Sequence, residues 1–442
     1  MEFGRHISRG SWAFADKALP ALYGIGFVFL VARVLPREEY GAFVIVQTLF
    51  NIISALGYTL ALQPLTKFAA ESDQPGSYAV ASLLLQSILF GAASLLLYFL
   101  KIPIASLLDP VHRIQLAQLL VYIPLMLLAS FYRNFAVSLL QSQFRVERIF
   151  WLDAIYFVGM MALVYGAELA GSFHTASDLL AITVLAFAAS TLVAIPLTHR
   201  HVSLKGSDYR PAVIKIWNFG KYLFGGNVAY TLFSQMDVFF VTSLGGPSVV
   251  ASYYNAKLFT RIFDLHSQVL QMFLVPFTSK LTTRRSTGEL LIVVEKSICF
   301  SILFLLPVFL VMVALPGPLV HILFKGKYDD AAPIVRIFSV LALLVPWSGV
   351  LVSYLIGSGK VKQALYFGIF QLSLAAVAYL AFTLLFGAIG TSIALVLTFA
   401  IVTMLLARYV KRDIPVTFVS VVRRTGDVWD FVKRRTLLRA NE

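Results

Sequence analysis

Lys257, Arg261, Asp264, Gln268 and Gln271 recur at spacings of four, three, four and three inside the otherwise apolar stretch 249–277. That spacing predicts one face of a helix long enough to cross a bilayer. A charged side chain at the bilayer centre costs about 2.5–3.5 kcal/mol on insertion scales, so three such groups on one helix need water, partners or a ligand. Guanidinium and ammonium groups in a wet cavity suit phosphate oxygens. Arg261 and Lys257 are therefore read as anion ligands, with Gln268 and Gln271 as hydrogen-bonding groups for a polar substrate. Shifting the chain by 210 residues lays the stripe on Gln47, Asn51, Ser54, Tyr58 and Ala61, the first four again polar or amphipathic. A duplicated helix with a polar seam implies a hydrated path through the membrane.

The remaining ionisable groups inside apolar segments are Arg133, Asp237 and, nearer a segment end, Arg336. Four bases against two acids leave an excess of positive charge. Asp264 can pair with Arg261 at a spacing of three. Asp237 shares a predicted helix face with Asn227, Tyr230 and Ser234. These two carboxylates are assigned to ion coupling or to structural pairing.

No pattern for catalysis emerges. The seven histidines are scattered, and His199 with His201 offers two metal ligands at most, so neither a metal site nor a cofactor is expected. Cys299 is the single cysteine, which excludes an intramolecular disulfide. The chain lacks a glycine-rich phosphate loop on a strand-helix unit, which argues against a nucleotide-driven pump. The net charge of +14 does not point to nucleic acid, because the bases cluster between apolar segments and near the C-terminal end.

Those segments must position the stripe. With 59% hydrophobic and 13% charged residues, the chain reads as an all-α integral membrane protein. Helices are predicted at 12–35, 40–66, 78–100, 114–142, 149–170, 177–198, 217–244, 249–279, 291–315, 332–357, 364–386 and 388–410. The N-terminal stretch has bases but no short apolar core before a small-residue site, so no cleaved signal peptide is expected. Placing both ends and the even-to-odd loops in the cytoplasm gives that side about 26 of the 36 Lys and Arg, so both termini are predicted there. The connection 199–221 becomes a cytoplasmic loop. Prolines 20, 64, 124, 276, 307 and 346 fall within spans and permit bending.

A duplication organises the spans. Gly41, Ala42 and Phe43 match Ala251, Ser252 and Tyr253. Pro64, Leu65 and Thr66 match Pro276, Phe277 and Thr278. Gln141 to Val146 matches Gly357 to Val361. Six helices per copy make the repeats parallel, predicting an N-terminal lobe at 1–210 and a C-terminal lobe at 211–410 around a central cavity. The region 411–442 mixes Phe418, Val419, Trp429 and Phe431 with Arg423, Arg424, Lys433, Arg434 and Arg435, and reads as a basic cytoplasmic tail at the lipid interface.

The run from Phe29 to Phe43, with Arg33, Pro36, Tyr40 and Gly41, resembles the first hairpin of polysaccharide flippases in the multidrug/oligosaccharidyl-lipid/polysaccharide (MOP) exporter superfamily. Pro318 to Ala331, with Phe324, Gly326, Lys327 and Tyr328, and Leu355 to Val361, with Gly357, Gly359 and Lys360, carry the same resemblance. It covers residues 10–410. It implies two six-helix lobes that alternate access and move undecaprenyl-pyrophosphate-linked oligosaccharide between leaflets of a bacterial or archaeal cell (inner) membrane, for surface polysaccharides such as the O-antigen of lipopolysaccharide. It also implies a basic cavity, which Lys257, Arg261 and Arg133 would supply. The implied partners are the lipid-linked oligosaccharide and membrane lipid, with a polysaccharide polymerase or other assembly proteins as further candidates. The alternatives are a cation-coupled drug or metabolite exporter using Asp237 and Asp264, and a membrane polymerase or ligase acting on lipid-linked sugars. The short predicted outer loops disfavour the last.

Overall fold

The computed structural model describes residues 19, 23–24, 26–72, 75–143, 145–199 and 209–427. Pro20, the loop residues 200–208, both predicted cytoplasmic ends and the tail residues Trp429, Phe431, Lys433, Arg434 and Arg435 lie outside them. Among the described residues the secondary structure is helical throughout, and seven helices are long and apolar enough to cross a membrane, or eight if a pair bent by 43° at Val340 forms one span. The chain is a multi-pass, all-α membrane protein.

Two long helices contain breaks that raise the count of spans. Val361–Val410 would measure about 75 Å at 1.5 Å per residue, far beyond a hydrocarbon core of about 30 Å. Gly387 interrupts it with φ 58° and ψ −141°. The Thr383 and Thr391 hydroxyls then lie 2.7 Å apart, although residues eight apart on a straight helix are separated by about 12 Å. The segment is thus a helical hairpin. Arg210–Lys257 is broken likewise at Gly246, where φ is 71° and ψ 178°. Both breaks fall where the sequence places span boundaries.

Besides the short helices Pro316–Phe324 and Phe418–Arg423, the helices in chain order are α1 (26–34), α2 (Arg37–Glu71), α3 (Pro75–Leu108), α4 (Arg113–Ser142), α5 (Val146–Leu169), α6 (Ala176–Thr198), α7 (210–245), α8 (247–283), α9 (Thr287–Ala314), α10 (329–357, bent at Val340), α11 (361–386) and α12 (388–410). They fall into two compact units, Met1–Ser252 and Tyr253–Glu442.

In the N-terminal unit, α7 and the start of α8 belong by contact with α1–α6. A Cβ on Gly41 of α2 would sit 1.8 Å from the Pro247 carbonyl oxygen, so the backbones touch. Arg37 donates to the Ser252 hydroxyl. Further along α2, Pro64 supplies no N–H to the Leu60 carbonyl, and the helix widens into a π turn, Tyr58–Leu62, closed by Gln63 N–H reaching back to the Tyr58 carbonyl. Gly220 of α7 packs against that turn, with a notional Cβ only 2.5 Å from the Leu60 oxygen. Two turns further along the same face of α7, the Asn227 amide donates to Gln63 at 3.1 Å. Glycine and amide together let α7 approach α2 closely.

In the C-terminal unit, Leu274 and Leu281 of α8, Val294 and Ile298 of α9 and Val350, Leu351 and Tyr354 of α10 form one core. The described part of the tail joins it. Ile414, Val416 and Val421 are buried there, and Lys360 holds Asp413 at 2.5 Å. Arg424 donates to Glu295, which is 2% exposed, at 2.8 Å. Phe418, Val419 and Val422 stay exposed on the other side of the short helix Phe418–Arg423, an amphipathic arrangement.

Candidate functional site

α8 is a three-sided helix. At 100° per residue, Phe263, Leu274 and Leu281 project from one side and are buried in the unit's own core. Leu265, Val269, Met272 and Phe273 occupy a second side and are 41–74% exposed. The predicted stripe lies between them: Asp264 and Gln268 are exposed, while Lys257, Arg261 and Gln271 are half-buried. An apolar exposed side suits lipid. A charged one beside it does not.

Along the stripe, Arg261 is held locally by a neutral group rather than by the nearest acid. The Arg261 guanidinium donates to the Tyr254 hydroxyl at 3.1 Å. Asp264 makes no hydrogen bond or ion pair among the described residues, so the pairing with Arg261 that the spacing allows is not made. A 3₁₀ turn, Leu258–Thr260, separates Lys257 from Arg261, with the Thr260 hydroxyl donating to the Lys257 carbonyl at 2.7 Å. Each 3₁₀ residue advances about 120° instead of 100°, which shifts the two bases out of the α-helical register read from the sequence. Behind the stripe, His266 stacks on Phe304 at a centroid distance of 5.2 Å.

In the N-terminal unit Gln47 donates to Asn51 at 3.0 Å, and Asn51 is exposed. Tyr58, at the start of the π turn, is 42% exposed. These groups form a polar face on α2 matching the stripe by the repeat. Asp237 on α7 is different: it is only 1% exposed, and its Oδ1 accepts the Val238 backbone N–H at 2.9 Å.

Arg133 occupies a knot of its own between α4, α5 and α6. Its Nη2 lies 2.5 Å from Asp153 and its Nε donates to Ser190 at 3.1 Å, while Ser190 in turn donates to the Leu152 carbonyl. Its guanidinium carbon lies 4.9 Å from the centroid of Tyr156 and 6.0 Å from that of Phe187, and the two rings stack on each other. This corrects the charge count read from the sequence. Asp153, Glu295 and Lys296 also lie within the predicted spans, and adding them to the groups counted from the sequence makes the balance five bases against four acids. An aspartate in the apolar run around Trp151 was signal enough, because an intramembrane carboxylate demands a partner.

Among the described residues no group of three or more His, Cys, Asp or Glu could hold a metal.

Comparison with known proteins places this architecture. A family model described as polysaccharide biosynthesis protein matches residues 30–333, over two thirds of the chain. The probable low-salt glycan biosynthesis flippase Agl15 of Haloferax volcanii is 24% identical over 401 residues, covering 90% of this chain and 82% of that protein. Among solved structures, the lipid II flippase MurJ in an inward closed conformation superposes with a TM-score of 0.72 at 14% identity, covering 92% of this chain and 87% of MurJ. An inward-facing multidrug resistance MATE family transporter of the MOP superfamily gives 0.71 at 17% identity, covering 89% of this chain and 96% of that one. At such identities the structures speak for the fold alone, which is that of the MurJ and MATE structures, and the family match speaks for the lineage: the chain belongs to the polysaccharide biosynthesis protein family.

Proposed function

We propose that this protein is a flippase that moves an undecaprenyl-pyrophosphate-linked oligosaccharide from the inner to the outer leaflet by alternating access, both termini being cytoplasmic. The observation that carries the reading is the three-sided form of α8. Its charged side is neither in the core of its unit nor compatible with lipid, so it borders water or substrate. Arg261 and Lys257 grip the diphosphate, and Gln268 and Gln271, with Gln47 and Asn51 from the repeat, hydrogen-bond sugar hydroxyls. The polyprenyl chain remains in the bilayer. Alternation of the lobes then carries the headgroup across, as the parallel repeats allow. Membership of a polysaccharide biosynthesis family and kinship with Agl15 support the substrate class.

The deciding experiment is transport of a defined lipid-linked oligosaccharide in reconstituted vesicles, run on the wild type, Arg261→Ala and Arg261→Lys. Arg261→Ala abolishes transport at normal abundance, and Arg261→Lys recovers part of it, because lysine keeps the charge without the planar two-pronged donor. Full transport by Arg261→Ala would remove the basis of the proposal. Asp264, exposed and unpaired among the described residues, favours a second reading in which it takes up the coupling cation of an exporter. In that case Asp264→Asn abolishes uptake of a cationic drug into the same vesicles while lipid-linked sugar is not moved by any variant.

A further inference from the structure

At the end of α2 and the start of α7, the N-terminal unit carries a second basic site. The Lys67 ammonium lies 4.7 Å from the ring centroid of Phe219 and 5.6 Å from that of Phe68. The Lys215 ammonium lies 4.6 Å from the same Phe68 ring and donates to the Tyr78 hydroxyl at 3.2 Å. Sharing Phe68 keeps the two nitrogens within about 10 Å of each other. Among the described residues no carboxylate approaches within 4 Å of either. Aromatic faces attract cations through their quadrupole but cancel no charge, so the rings gather two like charges without neutralising them.

Beside this pair opens a groove of about 740 Å³. Its walls are mainly Phe68, Pro211, Ile214 and Phe219, and Lys215 and Arg210 stand on it. Tyr209, Ile214 and Trp217 are 44%, 61% and 47% exposed nearby, the kind of side chains that sit at headgroup level. An apolar trough with ammonium groups at one rim matches a molecule with an anionic head and a hydrocarbon body. A free phosphate would leave the trough wet, and a neutral lipid would leave the lysines unsatisfied.

We infer that this groove binds an anionic phospholipid of the leaflet at which α2 ends, its phosphate between Lys67 and Lys215 and one acyl chain along Phe68 and Ile214. The lipid would tie α2 to α7 at the same seam where Gly220 meets the π turn. The inference uses none of the residues of the α8 stripe and stands whether or not the proposed substrate is right.

Native mass spectrometry of the full chain in detergent, with phosphatidylglycerol, phosphatidylcholine or a polyprenyl diphosphate added stepwise, tests this. The expected result is retention of one phosphatidylglycerol and release of phosphatidylcholine. In Lys67→Gln/Lys215→Gln, phosphatidylglycerol binding should weaken about 30-fold, equivalent to about 2 kcal/mol for two lysines on one phosphate. Lys67→Arg/Lys215→Arg should keep it. In the wild type, phosphatidylglycerol should also raise the thermal midpoint, and the rise should vanish at high salt. Equal retention of both phospholipids, an unaltered double glutamine variant, or a salt-independent midpoint shift would each overturn the inference. So would displacement of phosphatidylglycerol from the two lysines by polyprenyl diphosphate, which would assign the groove to the transported lipid.

Discussion

Arg133→Ala is expected to destabilise the N-terminal unit by about 3–5 kcal/mol, the range for removing one partner of a buried ion pair. The geometry puts this site in that range. The Arg133 and Asp153 side chains are 11% and 15% exposed, so water cannot readily replace the lost guanidinium. The substitution also deletes the bond to Ser190 and the contact with the Tyr156 face, the latter worth about 2 kcal/mol when desolvated. Asp153→Ala should be similarly costly, since it leaves the guanidinium held by neutral groups alone. Replacing both, as in Arg133→Met/Asp153→Leu, removes the unpaired charge and should return stability to within about 1–2 kcal/mol of the wild type or above it. With Arg133→Met and Asp153→Leu as the matching single variants, each costing about 3 kcal/mol or more, the coupling energy of the cycle comes to about 4 kcal/mol or more.

Thermal unfolding of the purified protein and its abundance in membranes report stability, and vesicle transport of the lipid-linked oligosaccharide reports the proposed function. If Arg133 serves α4, α5 and α6 rather than substrate, the double apolar variant transports normally. If it also contacts the diphosphate, as its place in the predicted basic set implies, the same variant is stable and inactive. An Arg133→Ala single variant with an unchanged thermal midpoint would refute the energetic reasoning altogether.

Gly41→Ala should sharply reduce membrane abundance, because its Cβ would meet the Pro247 backbone carbonyl at 1.8 Å, whereas Gly159→Ala, with open space at its Cβ, should be neutral. Arg424→Ala should lower the thermal midpoint by leaving the buried Glu295 carboxylate without its guanidinium, and Arg424→Ala/Glu295→Gln should restore it. Around the same clasp, the hydrogen bond from Lys296 holds Asp427 below the ordinary carboxylate pKa of 3.8. Its contribution is therefore full above that value and is lost as pH falls through the lower folded value, so a label on the neighbouring residue 426, where a Cβ meets open space, should stay immobile from pH 7 to pH 5. Cysteines at Ser207 and Ser248 should react with an impermeant reagent from opposite sides of the membrane; reaction from one side would overturn the topology.

The sequence reveals spans better than it reveals partners, and the reason lies in the range of each signal. Breaks at Gly246 and Gly387 are local: a glycine between two apolar runs is readable because only it adopts φ near 60–70° without strain. The α8 stripe is equally local, five positions within four turns. Arg133 with Ser190, Asn227 with Gln63, and Glu295 with Arg424 are separated by 57, 164 and 129 residues, and helical periodicity says nothing about which helix lies opposite. The π turn was half visible. Pro64 announced a disturbance, but its form depends on Gly220 arriving against the freed carbonyl from another helix.

These differences separate two kinds of intramembrane charge in the same chain. Arg133 and Glu295 are buried, have carboxylate or guanidinium partners, and are clasped by several elements of one unit, which is what a structural charge requires. Arg261 and Asp264 lie close together on one helix and yet decline to pair, the base bonding instead to a neutral hydroxyl and the acid standing exposed. A purely structural role gives no reason to keep two opposite charges apart at a spacing suited to a bond. A site that must hold a dianionic headgroup and then release it does, because a base already locked to a carboxylate would meet the substrate with its charge spent, whereas a nearby unpaired acid limits how tightly the anion is held. On that argument Asp264→Asn should tighten binding of the lipid diphosphate while slowing turnover, a split that simple loss of folding cannot produce. Weaker binding together with slower turnover would show instead that Asp264 positions Arg261.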